Sequence, residues 1–144
     1  MPAVAIFTIF FASILAFMPG PSPRVDQQAR VEAANYLVYR NAVNLYAVQN
    51  PGFSGTIPTA SLDLQPEWNN LKGWTNRVDA ATDRVYVYGP IQKGGVAHAA
   101  RINNSAAIGT NRSGTLEHPI HGSVGVNVPA FIPDGNIVSV IIDH

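Results

Sequence analysis

Residues 24–50, RVDQQARVEAANYLVYRNAVNLYAVQN, decide the fold. Ala29, Ala33, Tyr36, Leu37, Val43 and Ala47 recur at the spacing of one helical face, with Arg30, Asn41, Asn44 and Gln49 among the polar positions between them. The stretch predicts one long amphipathic helix. Ser22 can cap it, Pro23 suits the first helical position, where a missing N–H costs nothing, and Asn50-Pro51-Gly52 ends it. After Tyr36 the apolar sector widens, because Leu37, Val38, Tyr39, Ala42, Leu45, Tyr46 and Val48 leave little purely polar circumference. Such a helix is covered by a sheet on one side. Tyr36, Tyr39 and Tyr46 are candidates for contact with a partner subunit as well as for the core.

Upstream of the helix the character is different. Residues 1–23 carry no charged side chain, and from Pro2 to Met18 only Thr8 and Ser13 are polar. Seventeen helical residues rise about 25 Å, slightly short of a bilayer's hydrocarbon core. The reading is a membrane anchor built on Val4, Ile6, Phe7, Ile9, Phe10, Phe11, Ile14, Leu15 and Phe17, closed by the break Pro19-Gly20-Pro21-Ser22-Pro23. A cleaved signal peptide is the competing reading, and a buried core helix a third. Arg24, Arg30 and Arg40 downstream of the span would by themselves favour a cytoplasmic C-terminus, although long domains translocate with limited regard to charge.

Downstream, eleven of the twelve glycines and seven of the eleven prolines fall after residue 50, the pattern of short strands joined by tight turns. Val85-Tyr86-Val87-Tyr88 reads as a strand stopped by Gly89-Pro90. Residues 96–102 read as its hairpin partner across Lys93-Gly94-Gly95. Residues 106–110, 124–128 and 136–143 are further strands, the last led by the turn Pro133-Asp134-Gly135 and best suited to the sheet centre. Trp68, Leu71 and Trp74, three apart, suggest a short helix. The sum is an α+β protein: a membrane anchor and proline break over residues 1–23, then one domain over 24–144. In that domain a helix (24–50) precedes a mostly antiparallel β-sheet (51–144).

Composition narrows function by exclusion. Nine basic and nine acidic residues cancel, and only 12% of the chain is charged, so no basic surface for nucleic acid is expected. There is no cysteine, which removes disulfides, thiolate catalysis and zinc-ribbon chemistry. Glu117-His118-Pro119-Ile120-His121 offers nitrogen and oxygen donors, but Pro119 denies it the helical i, i+4 geometry of a metal motif, and a polar loop is expected. Ser54-Gly55 and Ser113-Gly114 lie in no strand-to-helix elbow and read as turns. Lys93-Gly94-Gly95 reads as a turn that introduces no helix, hence no phosphate loop. Two glycosylation-type triplets, Asn103-Asn104-Ser105 and Asn111-Arg112-Ser113, predict surface loops. Trp68 and Trp74 read as anchors of the loop segment, with sugar stacking the lesser alternative. Neither a catalytic residue nor a cofactor, metal or small-molecule substrate is expected.

The apolar N-terminus, the helix VEAANYLVYRNAVNLYAVQNPGFSG (31–55), the stretch NLKGW (70–74) and the segment TLEHPIHGSVGVNVP (115–129) together resemble the PilM proteins of conjugative-plasmid thin pili, a type IVB system. The likeness covers nearly the whole chain. It implies a small, non-enzymatic inner-membrane protein with a periplasmic domain, acting with other pilus-assembly proteins in pilin transport or assembly at the pilus base. It carries over no ligand or catalytic residues. A minor pilin shares the plan of apolar segment, helix and sheet, but Gly20 is followed by proline and no acid lies inside the span, so prepilin processing is not expected.

Overall fold

The computed structural model describes residues 23–103 and 107–142. The anchor residues Val4 to Phe17 and the capping Ser22 lie outside them. Among the described residues no helix is long and apolar enough to cross a membrane.

The long helix, α1, spans Pro23–Gln49. Its termination follows the sequence: both the backbone N–H and the side-chain Nδ2 of Asn50 donate to the Tyr46 carbonyl at 2.9 Å, and Gly52 turns the chain at a φ of 87°. Six strands then form one antiparallel sheet: β1 (Thr75–Asp79), β2 (Arg84–Gly89), β3 (Ile108–Arg112), β4 (Thr115–His118), β5 (Gly122–Asn127) and β6 (Ile137–Ile142). Their order is β1-β2-β6-β3-β4-β5. The C-terminal run IVSVII thus takes the centre, between β2 and β3, and its residues 137–140 are buried. A strand covered on both faces takes a near-continuous apolar, β-branched run, and the one polar residue in it, the buried Ser139, is hydrogen-bonded by Arg40.

Both faces of the sheet are packed. On one, Val78, Val85, Val87, Ile108 and Ile137 meet Ala33, Tyr36, Tyr39 and Val43 of α1. On the other, Tyr86, Leu116, Val138 and Val140 are covered by Val128 and Ile132 from the connection between β5 and β6. At Gly109 of β3 the backbones come too close for a side chain: a Cβ there would lie 2.5 Å from the Glu117 carbonyl oxygen.

Four expectations fail, each for a physical reason. Residues 96–102 are not a strand. They lie in a second helix, α2 (Gly95–Asn103), because Ala97, Ala99 and Ala100 favour a helix over the few β-branched residues there. Lys93-Gly94-Gly95 therefore does introduce a helix. Gly94 adopts a φ of 88°, and the buried, alanine-bearing face of α2 packs closely on α1 near Ala29. Since β2 and β3 both run antiparallel to β6, they are parallel to each other, and α2 is the crossover that this requires.

Trp68, Leu71 and Trp74 do not form a helix either. Asn70 Oδ1 accepts from the Trp74 backbone N–H at 2.7 Å and Asn70 Nδ2 donates to the Trp74 carbonyl at 2.9 Å, so a side chain takes the bonds a helix would need. Trp74 is buried against Tyr36 in an edge-on contact while Leu71 is exposed, so the threefold spacing reflected no common face. Finally, Asn111 is not on a surface loop: it is buried in β3, where Nδ2 donates to the Ile132 and Pro133 carbonyls and Oδ1 accepts from the Gly114 N–H.

Candidate functional site

The tyrosines proposed for a partner contact are distributed by helical phase. Tyr36 and Tyr39 are buried, and Tyr46 is half-buried against Phe53. Tyr36 Oη donates to the Val87 carbonyl at 2.7 Å, in the middle of the helix–sheet contact, and burial pushes its phenol far above the usual value. Tyr39 stacks on Trp68 with ring centroids 6.0 Å apart, its Oη accepts from Asn76 Nδ2 at 2.7 Å, and burial raises its phenol too. Tyr36 and Tyr39 are therefore core residues, a correction to the partner-contact reading: the apolar sector that widens after Tyr36 is wide because it serves two surfaces.

The second surface is the outer side of α1. Val31, Val38, Leu45 and Val48 stand on it, all exposed. Ala34 and Asn41 fill the gaps between them and are exposed as well. No charged residue stands on this stripe between positions 31 and 48; Arg40 lies toward the sheet, where its Nε donates to the Ser139 hydroxyl, while its Nη1 donates to Asn41 Oδ1 at 3.5 Å. Burial works against the charge of that guanidinium.

On the inner side, polar side chains of α1 fasten the loops. Glu32, buried, accepts from the Gln92 N–H at 2.7 Å and from Gln28 Nε2 at 2.8 Å. Asn35 accepts from Trp74 Nε1 at 2.7 Å and the Leu71 N–H at 3.1 Å, and donates to the Asn69 carbonyl at 2.8 Å. Asp26 joins α1 to α2 through His98 Nε2 at 2.8 Å and also accepts from Arg30 at 3.0 Å. The hydrogen bond from His98, reinforced by the nearby Arg30 charge, holds the Asp26 carboxyl below its ordinary value of 3.8. A depressed carboxyl stabilises the fold above its unfolded-state value, and the contribution is lost as pH falls through the folded one. The melting temperature of the wild type should thus fall more steeply below pH 3.8 than that of Asp26→Asn. Parallel acid limbs would show that the contact contributes nothing.

The other sequence candidates are structural. His118 is buried at the end of β4, where its Nδ1 accepts from the N–H groups of Ile120 (3.1 Å) and His121 (3.2 Å), and its ring stacks on that of His121. An Nδ1 used twice as a backbone acceptor is not a free metal donor. Among the described residues no group of three His, Cys, Asp or Glu could hold a metal ion. Ser54 Oγ bonds the Val78 carbonyl at 3.2 Å, and the N–H of Ser113 donates to Asp134 at 2.7 Å in a turn where Ser113 has a φ of 52°. A cleft of about 390 Å³ lies on the side of the sheet away from the helices, between Arg77, Tyr86, Pro129 and Phe131. There Arg77 covers the exposed Phe131 ring at 4.7 Å from its centroid.

What the sequence missed is the outer stripe as a face separate from the core. Its signal was present: Val31, Val38 and Leu45 are seven residues apart, a period distinct from that of Ala29, Ala33 and Tyr36.

A long helix laid on a six-stranded antiparallel sheet with a split crossover defines an α+β scaffold whose helix presents one apolar face inward and another outward. The PilM family profile matches residues 8–140, and the chain belongs to that pilus-associated family. Its fold is similar to that of a PilM protein of Escherichia coli, with a TM-score of 0.63 at 22% identity over 87% of this chain and 100% of that one. A second similarity is to a PilM protein of Pseudomonas aeruginosa, with a TM-score of 0.47 at 27% identity, covering 81% of this chain and 95% of that one. No curated protein matches the sequence.

Proposed function

We propose that this protein is a non-enzymatic, membrane-anchored component of a bacterial type IV pilus of the conjugative thin-pilus kind. It acts in pilin transport or assembly at the pilus base. The observation that carries the reading is the PilM match, which begins at residue 8 and so takes in part of the charge-free segment together with the domain. Residues 1–23 would hold the chain in the inner membrane, and the α+β domain would stand in the periplasm, where other pilus-assembly proteins are its partners. Of the groups that hydrolysis would have to use, Ser54 Oγ is hydrogen-bonded to the Val78 carbonyl and His118 Nδ1 accepts backbone N–H groups, which supports a binding role over a hydrolytic one.

The test is protease treatment of a tag placed after His144 in intact spheroplasts, with the size of the membrane-bound band recorded. Loss of the tag from a full-length, membrane-retained protein is expected. Protection until lysis would overturn the periplasmic placement, and a shortened band present in sheared filaments would favour a minor pilin.

A further inference from the structure

We infer that the cleft on the far side of the sheet is a binding site for a carboxylate carried on an apolar body. The inference uses the sheet alone and is independent of the pilus and membrane reading above. Arg77 of β1 and Tyr86 of β2 stand directly opposite each other in the strand register, where the Cβ atoms of paired residues lie about 5 Å apart. Both lean on the same ring: the Arg77 guanidinium carbon is 4.7 Å from the Phe131 centroid, and Tyr86 meets Phe131 edge-on with centroids 6.0 Å apart. Their polar ends therefore open into one cleft of about 390 Å³, a volume within the range of small-ligand pockets.

The Tyr86 hydroxyl is the deciding group. Tyr36, Tyr39 and Tyr86 are the buried tyrosines, and the first two use their hydroxyls inside the fold, on the Val87 carbonyl and on Asn76, as buried phenols ordinarily do. Tyr86 is only 5% exposed, yet among the described residues its hydroxyl has no hydrogen-bond partner, and it is not a fully enclosed atom. The little surface that Tyr86 keeps thus includes its hydroxyl, in the cleft that it lines. A phenylalanine would pack there equally well, so the hydroxyl serves a group that comes from outside. Arg77 stands ready in the same way, exposed and without an ion pair among the described residues.

Two donors and one positive charge set the chemistry of the ligand. A carboxylate accepts from the guanidinium fork and from the phenol at once. A dianion such as inorganic phosphate fits less well, because Asp79 also lines the cleft and only Arg77 meets the added charge. Asp79 itself is engaged: it accepts the Ala81 N–H at 3.0 Å and stands opposite Arg84 in the register. The remaining walls offer little to a polar ligand. Pro129 lacks an N–H, Gly55 exchanges both backbone bonds with Val78, and the Ser54 hydroxyl donates to the Val78 carbonyl. The body behind the carboxylate is therefore apolar and rests on Pro129 and Phe131, and the end of a polypeptide chain or a free aromatic acid would supply it.

The test is a titration of the full-length, isotope-labelled chain in detergent micelles, followed by magnetic resonance at the Arg77 Nε–H and the Phe131 amide. N-acetyl-Ala-Phe with a free carboxylate should move both signals and bind with a dissociation constant of about 0.1–1 mM. Its C-terminal amide should bind about tenfold more weakly. Tyr86→Phe should weaken binding of the acid by about tenfold at an unchanged melting temperature, and Arg77→Met should weaken it by more. Phenylpropionate that binds as tightly as the peptide would support the site with a free acid as its ligand, and a clear preference for the peptide would support it with a chain end. Equal binding of acid and amide, tighter binding of inorganic phosphate, or signals that stay put throughout the titration would each overturn the inference. A Tyr86→Phe chain that binds as the wild type does, or that melts lower, would overturn it as well, since the hydroxyl would then be idle or at work inside the fold.

Discussion

Tyr39→Glu is expected to leave the protein without a cooperative fold at 37 °C, whereas Val38→Glu, one residue earlier on the same helix, should keep its melting temperature within about 2 °C of the wild type. The two positions differ only in phase. Tyr39 is 2% exposed, stacks on Trp68 and accepts the hydrogen bond of Asn76. Losing a buried aromatic ring costs about 3–5 kcal/mol, and placing a carboxylate in its position adds several more. A domain of this size has roughly 5–15 kcal/mol in all. Val38 is 46% exposed and touches none of this. Circular dichroism melts of both variants, with wild type alongside, decide the matter. A folded Tyr39→Glu protein would mean that the inner face of α1 is not the foundation of the core. Equal destabilisation at Val38 would mean that the outer stripe is part of the fold and not surplus to it.

The contrast between neighbouring residues also explains which parts of the fold were legible from the sequence. Elements that declare themselves by apolar repetition were readable: α1 by its 3.6-residue period, β2 and β6 by runs of β-branched and aromatic residues, and the Pro133-Asp134-Gly135 turn by its residue types. Strands β1 and β4 were not, because TNRVD and TLEH carry few apolar side chains, and the buried side of β1 includes the polar Asn76. Helix α2 was misread because its alanines are too small to announce a periodicity, yet their smallness is what lets α2 lie close to α1.

The candidate surface was half legible for a related reason. An excess of apolar residues on α1 points to a second contact, but without the sheet's position the sequence cannot separate the tyrosines, the largest side chains on the helix, from the smaller residues outside them. Folding uses the largest rings first, since each buries the most area, and leaves the smaller Val31, Val38, Leu45 and Val48 outside. The role of asparagine was hidden altogether. Asn35, Asn70, Asn76 and Asn111 each hold a loop through both ends of the carboxamide, and a side chain that acts by donating and accepting at once has no periodic signature.

Asn76 carries the largest consequence of that kind. Its Oδ1 accepts from the Ile57 N–H at 2.8 Å, while Nδ2 donates to the Ile57 carbonyl at 3.0 Å and to Tyr39 Oη at 2.7 Å, all inside the core. Two residues earlier, Gly55 exchanges both backbone bonds with Val78, so the segment 54–57 lies along the outer edge of β1 and shields it. Asn76→Ala strips the partners from a backbone donor, a backbone acceptor and a phenol together. With an unmade buried bond worth about 1–3 kcal/mol, and some relief from water entering the space left, a loss of roughly 3–4 kcal/mol is expected. Tyr39→Phe removes only one of these bonds and should cost about 1 kcal/mol, and the doubly substituted chain should lose less than the sum because the two share that bond. Amide exchange supplies the local readout: the Ile57 N–H should lose its protection in Asn76→Ala while the amides of β6 follow only the global change. If Ile57 stayed as protected as before, the carboxamide would not be what holds the segment against the sheet. If it exchanged freely, the uncovered β1 edge would present unpaired backbone groups, and aggregation of Asn76→Ala on concentration is the outcome that exposure predicts.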